Sequence, residues 1–385
     1  MMLKSHKVAV VIPKYGLVGG AEGFVSELTK RIALERRYDV HVFANMWQSN
    51  SDSITFHKVP MITFPKFLTT ISFAHFAGME IAKERFDIIH THDRIFEADI
   101  FTMHGIPHKM WVNEVRKKRM SFFDYGTVWV EERLIKNKLC KKFIAVSNLT
   151  KERFLEQYDI INPDRVIVIH PGVDIDRLKN LDRRSCRQEI RQQFHIGSNE
   201  KIILFVSMNF DIKGLDRLMA ALSRLKYRYP SEKFKLLVVG KGNEKKYSAL
   251  AQNLGIKEHV IFAGIISREH LEKIYIASDA FSMLSKFDTF GMAALEAMAA
   301  SLPVTISSNV GAKDLIREGV NGYIIDDNES TDDIADKIIA MLNEETRMRM
   351  AQEAFNTAAS NTWDEVTKKV ADIYEEILSQ NTKDR

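Results

Sequence analysis

Short runs of β-branched and aliphatic residues alternate with longer segments of helical period along most of the chain. The first two runs, at residues 8–12 and 39–43, enclose a segment at 21–36 whose apolar positions recur near helical spacing. Further runs predicted as buried strands lie at residues 87–90, 143–147 and 166–170. A strand, a helix and a second strand in this order predict a parallel sheet with helices on its faces.

The same alternation begins again after a polar, charged stretch at residues 176–200. Strands are predicted at residues 202–206, 235–239, 260–263, 280–284, 303–307 and 322–325, and helices at 215–227 and 245–254. The two series predict an α/β protein with two Rossmann-like domains that face each other across a cleft. We place the N-terminal domain at residues 1–178 and the C-terminal domain at 179–362. Residues 363–385 are predicted as an amphipathic helix that packs back on the N-terminal domain.

Composition narrows the class of protein. Of the 385 residues, 45% are hydrophobic and 28% charged, the balance of a soluble globular enzyme. The two cysteines, Cys140 and Cys186, exclude a disulfide scaffold and fit a reducing cytoplasm. No apolar run approaches the roughly 20 residues that span a bilayer, and the run at 8–12 is shorter than a signal-peptide core. These features predict a cytoplasmic protein.

Three glycines, Gly16, Gly19 and Gly20, lie between the first predicted strand and the first predicted helix. They would let the backbone approach a phosphate at the helix N-terminus, where N–H groups favour an anion. Their spacing differs from the dinucleotide fingerprint, and the second strand ends at Asn45 without the acidic residue of that fingerprint. NAD is therefore disfavoured, and an ordinary tight turn is the alternative.

The most informative stretch is residues 285–297, in which Asp288 and Glu296 are eight residues apart. If residues 290–300 form a helix, its first N–H groups could hold a diphosphate, with Asp288 in the loop ahead of it. Eight helical residues span roughly 12 Å, which suits one carboxylate on a sugar and the other on the ribose of the same nucleotide sugar. The alternative is an ordinary loop aspartate and a surface glutamate.

The run from Asp288 to Val304 resembles the E-x7-E signature of retaining glycosyltransferases of family 4, which are two-domain enzymes of the GT-B fold. Other short motifs in the family's order extend the resemblance over nearly the whole chain. They are Gly19-Gly20-Ala21-Glu22, Val146-Ser147, Pro171-Gly172-Val173-Asp174, Lys213-Gly214-Leu215-Asp216, Gly311 and Asn321-Gly322. Within the family, the chain is most similar to lipopolysaccharide core glucosyltransferases, chiefly through residues 190–225.

The resemblance implies transfer of a hexose from a nucleotide diphosphate sugar, with UDP expected as the nucleotide. The acceptor would be a hydroxyl of a glycan or glycolipid such as lipopolysaccharide core, and the anomeric configuration would be retained. By the same resemblance, the N-terminal domain, residues 1–178, would bind the acceptor, and the C-terminal domain, residues 179–362, would bind the nucleotide sugar. Neither a metal nor another cofactor is expected. The implied catalytic residues are His104, Lys213 and Asp288, and the implied donor-binding residues are Gly19, Gly20, Phe290, Gly291, Met292 and Glu296.

The resemblance also implies a role for each side chain. Glu296 would bind the ribose hydroxyls, Asp288 would contact the hydroxyls of the donor sugar, and residues 290–292 would supply backbone N–H groups. Lys213 would neutralise the leaving diphosphate, the electrostatic task that dominates such a reaction. His104 would lie beside the reacting sugar.

Two positions depart from the family pattern. The first acidic residue of the signature is Asp288 rather than the commoner glutamate, so its contact with the sugar is one methylene shorter. The family lysine is often paired with an arginine five residues earlier, but here that position is Met208, and Ile212 precedes the lysine. Lys241 and Arg217 are candidates for the missing cation.

Four histidines, His90, His92, His104 and His108, together with Asp93, include the ligand types of zinc sites. Strand alternation directs the first two to the same side, but nothing in the sequence fixes His104 near them. We therefore predict no metal site.

The positive charge is concentrated in one segment. Residues 108–142 hold 10 basic and 4 acidic side chains, although the whole chain has a net charge of only +4. Residues 109–123 interleave cations with Trp111, Met120 and two phenylalanines, a pattern that suits an anionic membrane surface. We predict peripheral docking on the cytoplasmic face of the inner membrane, which a lipid-linked acceptor would make useful. A solvated helix face is the alternative, and no nucleic-acid partner is expected.

Two other functions remain open at this stage. A sugar-nucleotide epimerase on a similar fold would turn over the donor without an acceptor. A non-catalytic nucleotide-sugar binding module would bind the donor only, although Lys213, His104 and the acidic pair argue against a loss of activity.

Overall fold

The computed structural model describes residues 5–17, 19–49 and 51–383. The chain divides into two compact units, one that runs to Gly172 and resumes at Trp363, and one that spans Val173–Thr362. The first boundary therefore lies at Gly172 rather than at the predicted residue 178. Each unit contains a parallel β-sheet whose strands are connected by helices. This confirms the predicted α/β class with two Rossmann-like domains.

Within its described residues, the N-terminal domain begins with nine strands and five helices. The strands are β1 (His6–Val11), β2 (Lys14–Tyr15), β3 (Tyr38–Ala44), β4 (Met46–Trp47), β5 (Ile54–Lys58), β6 (Ile88–Thr91), β7 (Ile100–Met103), β8 (Lys142–Ala145) and β9 (Val166–Val168). The helices are α1 (Gly20–Leu34), α2 (Leu68–Ile81), α3 (His108–Met110), α4 (Phe122–Lys136) and α5 (Asn148–Gln157), and a π-helical turn, Trp111–Val115, extends α3. The main sheet has the order β5-β3-β1-β6-β7-β8-β9, while β2 pairs with β4.

The hydrophobic pattern does not predict β5 and β7. β5 is an edge strand with mostly half-exposed side chains, which weakens its apolar signal. β7 is a buried run of four residues that is interrupted by Thr102. β7 pairs with β6 on one side and with β8 on the other. It therefore determines where the residues that follow these strands lie.

The C-terminal domain contains six strands, and each corresponds to one predicted from the sequence. They are β10 (Lys201–Ser207), β11 (Phe234–Gly240), β12 (Val260–Gly264), β13 (Ala280–Met283), β14 (Val304–Ser307) and β15 (Gly322–Ile325), in the sheet order β12-β11-β10-β13-β14-β15. The helices are α6 (Ile175–Lys179), α7 (Arg183–Gln193), α8 (Leu215–Arg228), α9 (Glu244–Asn253), α10 (Arg268–Ala277), α11 (Met292–Ala299), α12 (Thr331–Leu342) and α13 (Glu344–Ala359). The strands are largely buried, as expected for a parallel sheet covered on both faces.

The strand order reverses direction once in each sheet. In the N-terminal domain this happens between β1 and β6, and in the C-terminal domain between β10 and β13. Ligands of open parallel sheets bind beyond the carboxyl ends of the strands at such a point. The loops after these four strands are therefore the places where a site is expected.

The last helix, α14 (Trp363–Lys383), returns to the N-terminal domain and packs on α1. Arg31 of α1 forms an ion pair of 2.8 Å with Asp364, and Trp363 contacts Phe24 edge to face at 5.4 Å. The buried Tyr374 hydroxyl is 2.8 Å from Nδ1 of His90 in β6. Across the described ranges, no helix combines the length and apolar character that a bilayer span requires.

Candidate functional site

Two loops meet at the carboxyl ends of β10 and β13. Gly214 follows the predicted catalytic lysine with a left-handed φ of 71°, and a Cβ there would clash with the carbonyl oxygen of Leu284. The backbone N–H of Lys286 donates to the carbonyl of Ile212 at 2.8 Å. A glycine is therefore required for the lysine-bearing loop to lie against the loop that follows β13.

Lys213 and Asp288, predicted to act on different parts of the donor, form an ion pair with each other. Both side chains are mostly buried. The Asp288 carboxylate also accepts from the N–H of Phe290 at 3.3 Å, and its backbone bonds to Asn309 and Gly311 at 3.0 Å each. These bonds hold the carboxylate in place at the turn into α11, with the lysine as its counterion.

The N-terminus of α11 directly follows the loop that holds Asp288. The helix begins at Met292, after Gly291, which has a φ of 92° and whose Cβ would lie 2.7 Å from Val310. Within the described part of the chain, no side chain caps this helix. Helix N-terminal N–H groups without a cap favour a negatively charged ligand. Of the predicted backbone donors, Met292 thus lies in the first turn, and Phe290 and Gly291 lie just ahead of it.

Glu296 lies on α11 and is half-buried. The Tyr275 hydroxyl of α10 donates to its Oε2 at 3.0 Å. Burial raises the pKa of Glu296, and the hydrogen bond from Tyr275 partly opposes that rise. Sequence reasoning missed Tyr275, because it belongs to another helix and no spacing connects it to the acidic pair.

The two candidate cations, Arg217 and Lys241, differ in whether other residues already bind them. Met208, at the position where the family often has an arginine, is exposed. Arg217 donates to the carbonyl of Asp326 and lies 3.7 Å from the carboxylate of Asp327. Lys241 is exposed, follows β11 next to the end of β10, and has no ion pair among the described residues. Lys241 is therefore the better placed of the two to assist a bound diphosphate.

The predicted residues of the N-terminal domain lie at the corresponding edge of its own sheet. Gly19 is the N-cap of α1 and Gly20 its first residue, while Val18 of the same loop lies outside the described residues. Phe24, one turn into α1, contacts His104 at 5.0 Å between ring centroids. The structure thus places the glycine loop and His104 near each other in this domain.

The sequence does not bring His104 near the other histidines, but the structure does. His92 follows β6 and His104 follows β7, and because these strands pair, Nδ1 of His92 lies 3.0 Å from Nε2 of His104. Burial lowers the pKa of His104 to about 3 and the pKa of His92 well below its usual value, so both rings are neutral at pH 7. The described residues contain no group of three or more His, Cys, Asp or Glu arranged to hold a metal ion.

Only some side chains of the predicted docking segment, residues 109–123, are exposed and could contact a membrane surface. Phe122 is 84% exposed, whereas Trp111, Met120 and Phe123 are half-buried. Arg116 forms an ion pair of 3.1 Å with Asp124 of α4. Further exposed aromatic side chains lie on the same domain outside the predicted segment: Phe64, Phe67, Tyr125 and Trp129.

The two halves of the chain match two family models. Residues 18–177 match Glycosyltransferase Family 4, and residues 186–357 match Glycosyl transferases group 1. The chain is 26% identical to an uncharacterized glycosyltransferase of Methanocaldococcus jannaschii, MJ1607, over 96% of this chain and 97% of that protein.

Two solved structures share the fold. WaaG, a glycosyltransferase involved in lipopolysaccharide biosynthesis, has a TM-score of 0.78 at 21% identity, over 95% of this chain and 99% of that one. HepE of Anabaena in complex with UDP-glucose has a TM-score of 0.72 at 18% identity, over 96% of this chain and 99% of that one.

Proposed function

Because this chain is a glycosyltransferase composed of a family 4 domain and a group 1 domain, we propose that it transfers a hexose from a UDP-sugar to a hydroxyl of a glycan or glycolipid. The observation that carries the proposal is the cluster at the ends of β10 and β13, where Lys213, Asp288, the α11 N-terminus and Glu296 lie on two adjoining loops and one helix. UDP as the nucleotide is supported by the UDP-glucose complex of HepE. The involvement of WaaG in lipopolysaccharide biosynthesis supports a glycolipid acceptor.

In the proposed reaction the diphosphate binds at the N-terminus of α11, and Glu296 binds the ribose. Lys213 exchanges its contact with Asp288 for one with the phosphate, where it stabilises the charge that grows on the leaving group. Asp288 is then free to accept from hydroxyls of the donor sugar. Neutral His104 hydrogen-bonds to the reacting sugar, and no metal takes part.

Retention at the anomeric carbon is part of the proposal and is supported by the resemblance of residues 288–304 to the retaining signature. Its test is the proton coupling constant of the new glycosidic linkage by NMR. A product with the anomeric configuration of the donor supports retention, and the inverted anomer contradicts it.

The activity itself is tested with UDP-glucose and UDP-galactose, each with and without a truncated lipopolysaccharide core oligosaccharide. We expect UDP release to rise on addition of the oligosaccharide. Isomerised sugar nucleotide without an acceptor would indicate an epimerase instead. Donor binding by calorimetry without turnover on any acceptor would indicate a binding module.

Peripheral docking on the cytoplasmic face of an anionic membrane completes the proposal. Its support is the position of Phe122 beside the cationic residues 116–119, with Lys66 placed over the ring of Phe123 at 5.2 Å. Phe64 is 88% exposed, and Gly126 packs against the backbone of Phe67. Two chain segments therefore contribute aromatic side chains and cations to one surface, the combination that anionic lipid headgroups favour.

A further inference from the structure

Four arginines lie together at the amino ends of the strands of the C-terminal domain and form the arginine cluster: Arg183, Arg187, Arg191 and Arg347. The first three are four residues apart on α7, so they share one face of that helix. Arg187 forms an ion pair of 3.1 Å with Asp279, which directly precedes β13. The seven residues of β10 separate this edge of the sheet from the loop of Lys213 by roughly 20 Å. The arginine cluster is therefore distinct from the candidate functional site.

The carboxylates that contact the arginine cluster do not balance its charge. Asp279 is fully buried and is shared, because Nη1 of Arg187 lies 3.1 Å from Oδ1 and Nη2 of Arg191 lies 3.6 Å from Oδ2. Glu344 contacts Nη2 of Arg347 at 2.6 Å, and it also pairs with a lysine. Among the described residues, two carboxylates thus form ion pairs with a group of four guanidiniums. Positive charge remains in excess.

Arg183 is half-buried and has no ion pair within the described ranges. Its Nη2 donates to the carbonyl of Ala300 at 2.7 Å, the C-cap of α11, which is a favourable place for a cation. The carbonyl carries no net charge, however, and Nε and Nη1 of Arg183 have no hydrogen-bond partner in the described part of the chain. Burial and the charges of Arg187 and Arg347 lower the pKa of Arg183. An anion beside Arg183 would offset both unfavourable effects.

Arg347 provides a second, separate indication of a ligand. Its side chain is 15% exposed, and its Nη2 donates to Glu344 at 2.6 Å. Its Nε is buried and has no hydrogen-bond partner among the residues that the structure describes. An unpaired buried donor is unfavourable, so an acceptor on a ligand would stabilise this side chain. Two helices, α7 and α13, thus each contribute a guanidinium with unused donors.

We propose that the arginine cluster binds a phosphoryl group, either as free phosphate or as the phosphomonoester of a metabolite. The site goes beyond the proposed function and does not depend on it. A guanidinium donates two parallel hydrogen bonds to phosphate oxygens, and Nε and Nη1 of Arg183 and Nε of Arg347 are the donors that remain. A phosphate carries about −1.5 to −2 charges at pH 7, so it offsets more of the excess charge than a carboxylate does.

The test is an NMR titration of the whole chain that follows the Nε–Hε signals of its arginines. The probes are inorganic phosphate, glucose 1-phosphate and acetate, at constant ionic strength and with saturating UDP, which occupies the proposed donor site. Arg183→Gln and Arg347→Gln each remove one guanidinium of the cluster. The matched control is Arg184→Gln, which removes an exposed arginine of the same helix. UDP affinity by calorimetry shows whether each variant is folded.

We expect inorganic phosphate or glucose 1-phosphate to bind at least tenfold more tightly than acetate, and the tighter of the two identifies the source of the phosphoryl group. Arg183→Gln and Arg347→Gln should each weaken that binding at least fivefold, whereas Arg184→Gln should stay within twofold of wild type. Because Arg183→Gln also removes the cap of α11, Arg347→Gln decides if the first variant no longer binds UDP. The inference is overturned if neither phosphate binds, if acetate binds equally well, if Arg347→Gln has no effect, or if Arg184→Gln causes the same loss.

Discussion

Tyr275→Phe removes one hydroxyl from the support of Glu296 and leaves the rest of the site in place. The hydroxyl donates to Oε2 of Glu296 at 3.0 Å, whereas its approach to the carbonyl of Ala293, at 3.4 Å, is weak. A hydrogen bond to a charged group is worth about 1.5–3 kcal/mol, so donor affinity should fall by at most roughly ten- to hundredfold if the ionised, oriented carboxylate binds the ribose.

The same substitution should change the pH dependence of donor binding. Burial raises the pKa of Glu296 and the Tyr275 hydrogen bond lowers it, so removal of that bond raises the pKa further. If binding requires the ionised carboxylate, donor affinity declines as pH falls through this pKa, and the decline should begin at higher pH in Tyr275→Phe.

Calorimetric titration with UDP at several pH values measures both effects. The control is Tyr229→Phe, which removes a hydroxyl that donates to Asp336 at 2.8 Å, away from Glu296. Equal affinity and equal pH dependence for Tyr275→Phe and wild type would refute the argument that Tyr275 positions Glu296. An equal loss in both variants would point to a general loss of stability instead.

Three further changes test the proposal. Glu296→Gln should weaken binding of a UDP-sugar about ten- to hundredfold and should weaken acceptor binding much less. If calorimetry shows unchanged affinity for the UDP-, ADP- and GDP-sugars, Glu296 does not bind the ribose. Lys213→Ala should lower kcat about a hundredfold and should lower donor affinity less, because negative charge on the diphosphate grows in the transition state. A kcat within twofold of wild type would refute the role of Lys213 at the leaving group. Replacement of all four cations at residues 116–119 with Gln should reduce co-sedimentation with anionic liposomes at low salt. The loss of binding free energy is at most ~4 kcal/mol, and it is smaller if Arg116 stays paired with Asp124. Equal partitioning of this variant and wild type would refute docking by this segment.

The sequence predicts the C-terminal domain better than the N-terminal one, for a physical reason. Strands such as β10 and β11 are buried runs of seven residues, and the helices between them have wide apolar faces. In the N-terminal domain β5 is half-exposed at the sheet edge, and β7 is a buried run, interrupted by Thr102, that pairs with β6 and β8. Their local signal is weak because their stability comes from pairing with neighbouring strands, which a one-dimensional pattern does not contain.

The contacts of the candidate site also depend on the pairing of strands, which the sequence pattern does not show. His92 meets His104 only because β6 pairs with β7, and the pattern that misses β7 also leaves these histidines apart. Tyr275 reaches Glu296 only because α10 and α11 flank β13, a juxtaposition that spacing along the chain does not encode. Motifs identify the candidate site residues, whereas the partners of those residues follow from strand order.

The ion pair between Lys213 and Asp288 shows why those partners matter for mechanism. The motifs assign the lysine to the diphosphate and the aspartate to the sugar, as two separate tasks. In the structure each is the counterion of the other, so a diphosphate that attracts the lysine also exposes the aspartate. Groups that share one interaction do not contribute additively. In the proposed mechanism, binding of the leaving group and recognition of the sugar are therefore coupled at this pair, and a donor without its diphosphate would meet an aspartate that the lysine still occupies.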